Sequence, residues 1–285
     1  MLEFNKILYI QESTWPMKIN KNNISEEDKK QAISILNALR SGQRVFGNPA
    51  QGLKITLKKL QEQLNTTSGN ILSWELVDSE LIANIAMLNA GIQGEEQLAQ
   101  YLSTLLKNSD KLDGVIAFAS LSYEQESNDK DYIPDSDFLI IFGRNVLVLD
   151  AKNIKTNPDV PITLEDGVIV TVDKGKEILA VHQSTHIWEN VLAEMNISID
   201  SIDGYVVIVN KTGATVERND EWQMSHTKVI HISELYNELL IWKQWCEQQG
   251  SDIADLNMLT QIAKAQVREE KSDLDLNAMK RQFGV

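Results

Sequence analysis

DSDFLIIFGRNVLVLDAKN, residues 135 to 153, contains two hydrophobic runs that are joined by a short turn. Neither run alternates apolar and polar residues, which is typical of strands covered on both faces of a sheet. Gly143 and Asn145 suit a tight turn, so the stretch predicts an antiparallel hairpin. The second run ends in Asp150 and Lys152, and charge at such a place is costly unless something compensates it. The stretch therefore predicts the centre of a sheet with a charged end.

The charged residues of this hairpin are predicted to converge. Residues two apart in a strand share a face, so Asp150 and Lys152 should project to the same side. In the hairpin, Asp137 falls opposite the region of Asp150, which brings two carboxylates near one ammonium. Carboxylates that close repel and raise one pKa, unless a divalent cation such as Mg²⁺ lies between them. Spacing alone leaves a structural ion pair between Asp150 and Lys152 as an equally good interpretation, because D-x-K is common by chance.

Two further polar residues are predicted to lie on helices beside the hairpin. In GEEQLAQYLSTLL, Glu95 lies on the same helical stripe as Leu98, and Glu96 lies off it. A carboxylate in the first turn of a helix is either a partner of the helix dipole or a member of a site. Gln183 borders the inner face of a helix predicted over residues 178–195, although by itself the pattern favours an ordinary surface amide.

The rest of the chain divides into three predicted regions. We expect a helical N-terminal region over residues 1–90, an α/β domain over 91–231 and a C-terminal helical extension over 232–285. Alternating helices and strands in the middle region predict a mixed sheet with helices on both faces. Further elements are predicted as strands over 114–121, 167–172 and 204–210, a helix over 78–91, a separate helix starting near Gly94, and a loop over 65–70.

The composition limits the class of protein. A hydrophobic fraction of 42% and a charged fraction of 24% are ordinary for a soluble globular chain. No apolar run approaches the roughly 18 residues of a membrane span, and the N-terminus does not resemble a signal peptide. The single Cys246 excludes an intramolecular disulfide and a cysteine-based zinc site. We therefore expect a cytoplasmic protein without membrane association.

Other catalytic or metal-binding patterns are weaker. His182 and His186 are four residues apart, a spacing that can bind zinc. The glutamate of the H-E-x-x-H pattern is replaced by Gln183, so a solvated role is favoured for both histidines. The sequence contains neither a phosphate-binding loop of the G-x-x-x-x-G-K-[ST] type nor a G-x-G-x-x-G stretch.

Three stretches of the chain together resemble a known family. They are GIQGE at 91–95, DFLIIFGRNVLVLDAKN at 137–153, and HQ at 182–183 on the following helix. This pattern is similar to that of the nuclease-related domain (NERD) family, within the PD-(D/E)xK nuclease superfamily. The family has a G-x-x-G-E helix start, an Asp opening a hydrophobic strand, a strand ending in (D/E)-x-K and a Gln in the next helix. The resemblance covers about residues 91 to 210 and implies a restriction-endonuclease-like α/β fold.

The resemblance also implies an activity and a set of residues for it. The implied reaction is metal-dependent hydrolysis of a nucleic-acid phosphodiester, with DNA as the expected substrate. Lys152 would be the catalytic lysine, and Gln183 would position substrate or water. The implied ligands of Mg²⁺ or Mn²⁺ are Asp137, Asp150, the carbonyl of Ala151, and Glu95, which would complete or support the site.

The chain departs from the family pattern at two positions, and one assignment stays open. Asp150 stands where the family commonly has Glu, and Phe138 stands where it often has His. Asp135, in the literal sequence Pro134-Asp135, is an alternative to Asp137 as metal ligand, because both lie on one face of the strand. Asp137 is favoured because it directly precedes the hydrophobic run.

Three functional hypotheses follow from these residues. The first is a metal-dependent DNA endonuclease, in phage defence or mobile-element biology, whose helical flanks recognise DNA, a protein partner or a second copy of the chain. The second is a non-catalytic binding or assembly subunit of a nucleic-acid-processing or defence complex. The third is an acidic DNA mimic, which would not need Lys152 beside Asp150. The intact acidic residues and lysine favour the enzyme, whereas the net charge of −14 counts against tight nonspecific DNA binding.

Overall fold

The computed structural model describes most of the predicted elements. It covers residues 26–68, 79–123, 135–153, 162–165, 168–171, 176–178, 182–209, 227–252 and 256–265. The helices in these ranges are α1 (Glu26–Arg40), α2 (Gln51–Ser68), α3 (Ser79–Asn108), α4 (His182–Glu194), α5 (Leu235–Gln248) and α6 (Leu256–Lys264). The strands are β1 (Val45–Phe46), β2 (Ile116–Ser122), β3 (Asp135–Phe142), β4 (Asn145–Lys152), β5 (Ile162–Glu165), β6 (Val168–Thr171), β7 (Lys176–Ile178), β8 (Ser201–Ile208) and β9 (Thr227–His231). None of the helices in these ranges combines the length and the apolar character needed to cross a bilayer.

Strands β3 and β4 form the predicted antiparallel hairpin. Near its open end, Phe138 pairs with Leu149. Gly143, in the turn, has a φ of 61°, a left-handed conformation that glycine adopts without steric cost. The prediction of a tight turn is therefore confirmed. The next pair outward from Phe138 and Leu149 consists of Asp137 and Asp150, so both acidic residues lie at the open end of the hairpin.

The hairpin lies in the middle of a six-stranded mixed sheet with the order β1-β2-β3-β4-β8-β9. The pairs β2–β3 and β3–β4 are antiparallel. The pairs β1–β2, β4–β8 and β8–β9 are parallel. The expected α/β class with a mixed sheet is confirmed.

Helices cover both faces of this sheet. One face packs against α1, α4 and α6, through buried residues that include Leu39, Trp188 and Leu259. The other face packs against α3 and α5, through residues that include Leu102 and Leu239. Because both faces are covered, residues 138–142 and 146–149 of the hairpin are all buried and apolar, which explains the absence of alternation in its sequence.

Helix α3 differs from the prediction. It is continuous from Ser79 to Asn108, so the prediction of two separate helices here is wrong. Gly91 and Gly94 weaken helix propensity, but they allow close packing. A Cβ at Gly91 would lie 2.9 Å from Leu53 Cδ1 of α2, and one at Gly94 would lie 2.9 Å from Asn153 Cβ. The two glycines thus let α3 approach α2 and the end of β4.

Other elements also differ from the prediction. Helix α2 continues to Ser68, so the loop predicted over 65–70 begins at least four residues too early. The strand predicted over 167–172 is present as β6, but it belongs to a separate three-stranded antiparallel sheet with β5 and β7. Strands β1, β5, β7 and β9 are absent from the sequence prediction, and the helix predicted over 178–195 begins at His182 as α4, after β7 ends at Ile178. Strand β1 has two residues, which is too short for a recognisable pattern in the sequence.

The three predicted regions stay a prediction. Helix α3 passes through the proposed boundary at residue 90, and β1, from the N-terminal region, pairs with β2 in the central sheet. The end of the chain after residue 265 lies outside the described residues.

Candidate functional site

The open end of the hairpin holds Asp137 against the backbone of the neighbouring strand. The backbone N–H of Ala151 donates a hydrogen bond of 2.7 Å to Asp137 Oδ2. The bond spans the two strands, so it fixes the Asp137 carboxylate beside the last residues of β4. The pairing of Phe138 with Leu149 places Asp150 at the same level of the hairpin. The prediction that Asp137 lies opposite the region of Asp150 is therefore confirmed.

Asp150 and Lys152 form a direct ion pair. Their side chains share a face of β4, as their spacing predicts, and Lys152 Nζ lies 2.7 Å from Asp150 Oδ1. The Lys152 side chain is 33% exposed and that of Asp150 is 22% exposed. Both groups are thus accessible to solvent at the end of this central strand. This geometry agrees with a structural ion pair, so the neighbours of the pair decide between the two interpretations.

Glu95 brings a third carboxylate to this place. It is buried in α3, and its Oε2 accepts a hydrogen bond of 2.9 Å from the backbone N–H of Ala50. Because α3 begins at Ser79, Glu95 lies in the middle of the helix. Its predicted location in a first helical turn is wrong, and interaction with the helix dipole does not explain it. We refer to Glu95, Asp137 and Asp150 as the carboxylate cluster.

Electrostatics link the members of the carboxylate cluster. Burial raises the pKa of Asp137 well above its ordinary value, and the neighbouring charges of Glu95 and Asp150 raise it further. The ammonium of Lys152 and the hydrogen bond from Ala151 act in the opposite direction and are the weaker influences. Ionisation of Asp137 therefore carries an electrostatic cost, and a strongly perturbed carboxyl group of this kind is typical of functional sites.

Contacts between α3 and the end of β4 bring Glu95 to the hairpin. Asn153, directly after β4, donates from Nδ2 to the carbonyl of Ala90 in α3 at 2.8 Å. Gly94 lies against Asn153, where any larger residue would collide. The helix and the strand end are therefore in contact immediately before Glu95.

Ser120 on β2 is a site neighbour that the sequence analysis does not identify. The pairs Ala119–Phe138 and Leu121–Ser136 flank it, which places Ser120 opposite Asp137. Ser120 is buried, and its Oγ accepts a hydrogen bond of 3.0 Å from the backbone N–H of Gln51. No composition or spacing signal marks one serine in an apolar strand, so sequence alone could not reveal this contact.

Several predicted residues have no described side chain or no described role. Gln183 and His182 lie in the first turn of α4, and Asp135 is the first residue of β3, but their side chains lie outside the described residues. The choice of Asp137 over Asp135 thus stays a prediction, as does the Ala151 carbonyl as a ligand. His186 is exposed, with its Nδ1 3.7 Å from Glu189 Oε2, as expected for a solvated histidine.

The carboxylate cluster is not a preformed metal cage. Within the described ranges, no group of three or more histidine, cysteine or acidic side chains is arranged so that it could hold a metal ion. The donor chemistry suits Mg²⁺ at a smaller site, because Mg²⁺ takes one or two protein carboxylates and completes its shell with water and phosphate oxygens. A carboxylate has about four lone-pair positions, so the hydrogen bond to Asp137 leaves room for coordination. The arrangement therefore fits a two-carboxylate site at Asp137 and Asp150, with Glu95 in support.

Comparisons with known proteins add no relative. No family model matches the sequence, and a search of curated proteins finds no match. The resemblance to the NERD family thus rests on the motif residues alone.

Proposed function

We propose that this protein is a metal-dependent nuclease of the PD-(D/E)xK type, most similar to the NERD family, that hydrolyses phosphodiester bonds in DNA. The observation that carries the proposal is the convergence of carboxylates from β3, β4 and α3 beside Lys152. A structural ion pair between Asp150 and Lys152 would not need Asp137 at the same place, with its pKa raised by two further carboxylates.

The order of elements supports a restriction-endonuclease-like fold. Helix α3, the antiparallel strands β2, β3 and β4, helix α4 and the parallel strand β8 follow one another in the chain. The same order carries the motif: a glutamate on the helix, an aspartate on the second strand, D-x-K on the third and a glutamine on the next helix. Asp137, Asp150 and Lys152 lie on strands and Gln183 lies on a helix, as in the family pattern. Glu95 lies on a helix too, but in its middle and not at its start.

Asp137 and Asp150 are the residues that would hold Mg²⁺ or Mn²⁺. A bound divalent ion would supply Lewis-acid activation of the phosphate and would lower the pKa of a bound water. Asp137 is suited to this role because the backbone N–H of Ala151 fixes its orientation. The neighbouring charges that raise its pKa also favour the approach of a cation.

Lys152 and Glu95 would have different roles beside Asp137 and Asp150. Lys152 is partly exposed at the end of β4, where its ammonium can orient the attacking water or stabilise charge that develops on the phosphate. Glu95 is buried and held by Ala50, which suits a supporting role rather than contact with substrate. Gln183 would position water or substrate from the start of α4.

The test is cleavage of plasmid, linear duplex and single-stranded DNA by purified protein with Mg²⁺ or Mn²⁺. Wild type should cleave at least one substrate, and EDTA should abolish cleavage. Asp150→Ala and Lys152→Ala should each reduce the rate by about 100-fold or more. RNA of the same sequence, used in parallel, identifies the nucleic acid.

Glu96→Gln is the matched control. Glu96 is adjacent to Glu95 but exposed, and it pairs with Lys54 at 2.6 Å, so this variant should cleave like wild type. Cleavage that survives both Asp150→Ala and Lys152→Ala would come from a contaminant or another site, and it would refute the proposal.

A second candidate function is a non-catalytic binding or assembly subunit. Two observations favour it: the direct ion pair that neutralises Asp150 and the net charge of −14. Lack of cleavage by wild type on every substrate, together with binding of a nucleic acid or a protein partner, would support this alternative.

A further inference from the structure

Two backbone N–H groups at the start of α2 link this helix to the candidate site. The N–H of Ala50 donates to Glu95 Oε2 at 2.9 Å. The N–H of the next residue, Gln51, donates to Ser120 Oγ at 3.0 Å. Glu95 comes from α3 and Ser120 from β2, so one dipeptide joins two elements that flank Asp137.

The backbone is unusual at both ends of this link. Ala50 has a φ of 57° and Ser120 a φ of 50°, left-handed values that are uncommon for residues other than glycine. Among the described residues, Asn196 is the one other non-glycine residue with a positive φ, and it follows α4. Such conformations persist when the surrounding structure holds them in place, and they cluster at functional sites.

The conformation of Ser120 changes which face of the sheet the following side chains of β2 point to. Before Ser120, Ala119 faces the core under α3 and α5. After it, Leu121 faces the core under α1, α4 and α6. Two residues that are two apart in a regular strand would share a face. The alternation therefore shifts at Ser120, opposite Asp137, and leaves its hydroxyl in contact with Gln51.

We propose that Ser120 is a positioning residue that acts through Gln51 and Ala50 to hold Glu95 in the carboxylate cluster, and thereby sets the affinity of the site for its divalent ion. The inference rests on the proposed function, because it assigns Ser120 a part in metal binding. Ser120 touches neither ion nor substrate in this scheme. Its hydroxyl fixes the start of α2, and the start of α2 fixes the Glu95 carboxylate.

The experiment compares three variants of the full chain. Ser120→Ala removes the hydroxyl and keeps the strained φ, whereas Ser120→Gly removes the hydroxyl and relieves the strain. Ser122→Ala is the matched control, since it removes a hydroxyl two residues away on the same strand. Each protein is titrated with MnCl₂, and two readouts are followed: the thermal unfolding midpoint and the initial rate of DNA cleavage.

We expect the Mn²⁺ concentration for half-maximal effect to rise about tenfold in both Ser120 variants and to stay at the wild-type value in Ser122→Ala. The reason is that groups which support the ligands of a metal site typically contribute about 10- to 100-fold to metal affinity. The maximal cleavage rate at saturating Mn²⁺ should stay within about twofold of wild type, since the catalytic groups are intact. If Ser120→Ala does not fold, Ser120→Gly decides the result.

A purely structural role predicts a different outcome. Both Ser120 variants would then change the unfolding midpoint without Mn²⁺, while the half-maximal Mn²⁺ concentration would equal that of wild type. That result would overturn the inference and leave the proposed function standing. Absence of any Mn²⁺ effect on wild type, in unfolding and in cleavage, would instead overturn both.

Discussion

Two regions of the molecule differ in how the charge of a carboxylate is balanced. Glu238 on α5 is buried and lies 3.1 Å from Lys228 Nζ on β9. Asp137 on β3 is influenced by two acidic side chains and one lysine. The first region pairs its charge locally, as a structural ion pair does. The second places Asp137 among acidic neighbours, so its ionisation is costly, and a bound cation would lower that cost.

The largest difference that we expect between the two regions concerns activity. Asp137→Asn and Glu238→Gln each replace one carboxylate by an amide of the same shape. Asp137→Asn should reduce the rate of cleavage by about 100-fold or more, because Asp137 would bind the divalent ion. Glu238→Gln should leave the rate within about twofold of wild type, because Glu238 would not bind the ion. Initial rates on plasmid DNA with Mn²⁺ measure this, with circular dichroism to confirm folding. Equal losses in the two variants would remove the functional distinction between the regions.

The second prediction concerns metal binding without catalysis. A ligand at about 100 times its dissociation constant adds about 2.7 kcal/mol to the stability of the folded state, which is roughly 5 °C in Tm for a large domain. Mn²⁺ should raise the Tm of wild type and of Glu238→Gln by this amount, and that of Asp137→Asn by much less. Calorimetric scans with and without MnCl₂ provide the measurement. A full shift in Asp137→Asn would place the metal elsewhere.

The third prediction concerns stability in the absence of metal, with opposite signs in the two regions. The pKa of Asp137 is raised in the folded state, so the unfolded state loses its proton first as the pH rises. Stability of wild type therefore falls between about pH 4, the ordinary range of the carboxyl group, and the raised folded pKa. Asparagine does not titrate, and its Oδ1 can still accept the bond from Ala151. Asp137→Asn should thus be more stable than wild type at neutral pH.

Urea unfolding at neutral pH and near pH 4 measures this difference. The advantage of Asp137→Asn should shrink near pH 4, where the carboxyl group is protonated in the folded state and about half protonated in the unfolded state. Glu238→Gln should be less stable than wild type at neutral pH by about 1 kcal/mol, since it weakens the contact with the half-exposed Lys228. If Asp137→Asn were less stable than wild type at neutral pH, ionisation of Asp137 would not be what destabilises the folded state.

The smallest effect is expected for alkylation of Cys246, which lies on α5 together with Glu238 and reports on the access of solvent to this region. Burial raises the pKa of its thiol to about 12, with Asp203 adding to the effect. Because the thiolate is the reactive form, iodoacetamide at mildly alkaline pH should leave Cys246 unmodified in the folded protein and modify it after unfolding in urea. Mass spectrometry measures the fraction modified. Rapid modification of the folded protein would show that α5 opens and would weaken the contrast with the accessible site.

The hairpin and its charged end could be predicted from sequence because their signals are local. A glycine in a tight turn and two apolar runs fix the register, and the register brings Asp137 beside Asp150. The spacing of Asp150 and Lys152 then fixes their common face. These relations involve residues that are close together in the chain, so they can be predicted from one sequence without knowledge of the tertiary fold.

Glu95 shows where this kind of prediction succeeds only in part. The apolar stripe identifies it as inward-facing, and the structure buries it. Glycines suggest a helix start nearby, but close packing against Leu53 and Asn153 is the reason for them. Packing between distant segments can thus override the usual local meaning of glycine.

The contacts made by Ala50 and Ser120 could not be predicted. They join residues 45 and 69 positions apart in sequence and depend on left-handed backbone at two ordinary residues. Neither alanine nor serine signals such a conformation. Strand β1 escaped prediction for a similar reason, because pairing with β2 defines its two residues.

The continuity of α3 has a practical consequence for dissecting this protein. A fragment that starts at residue 91 would begin inside the helix and would lack Ala50, the donor that holds Glu95. At 1.5 Å per residue, the 30 residues of α3 span about 45 Å, and the helix contacts α2 one turn before it reaches Glu95. A molecule that binds and displaces α2 would therefore remove the hydrogen bond from Ala50 that orients Glu95.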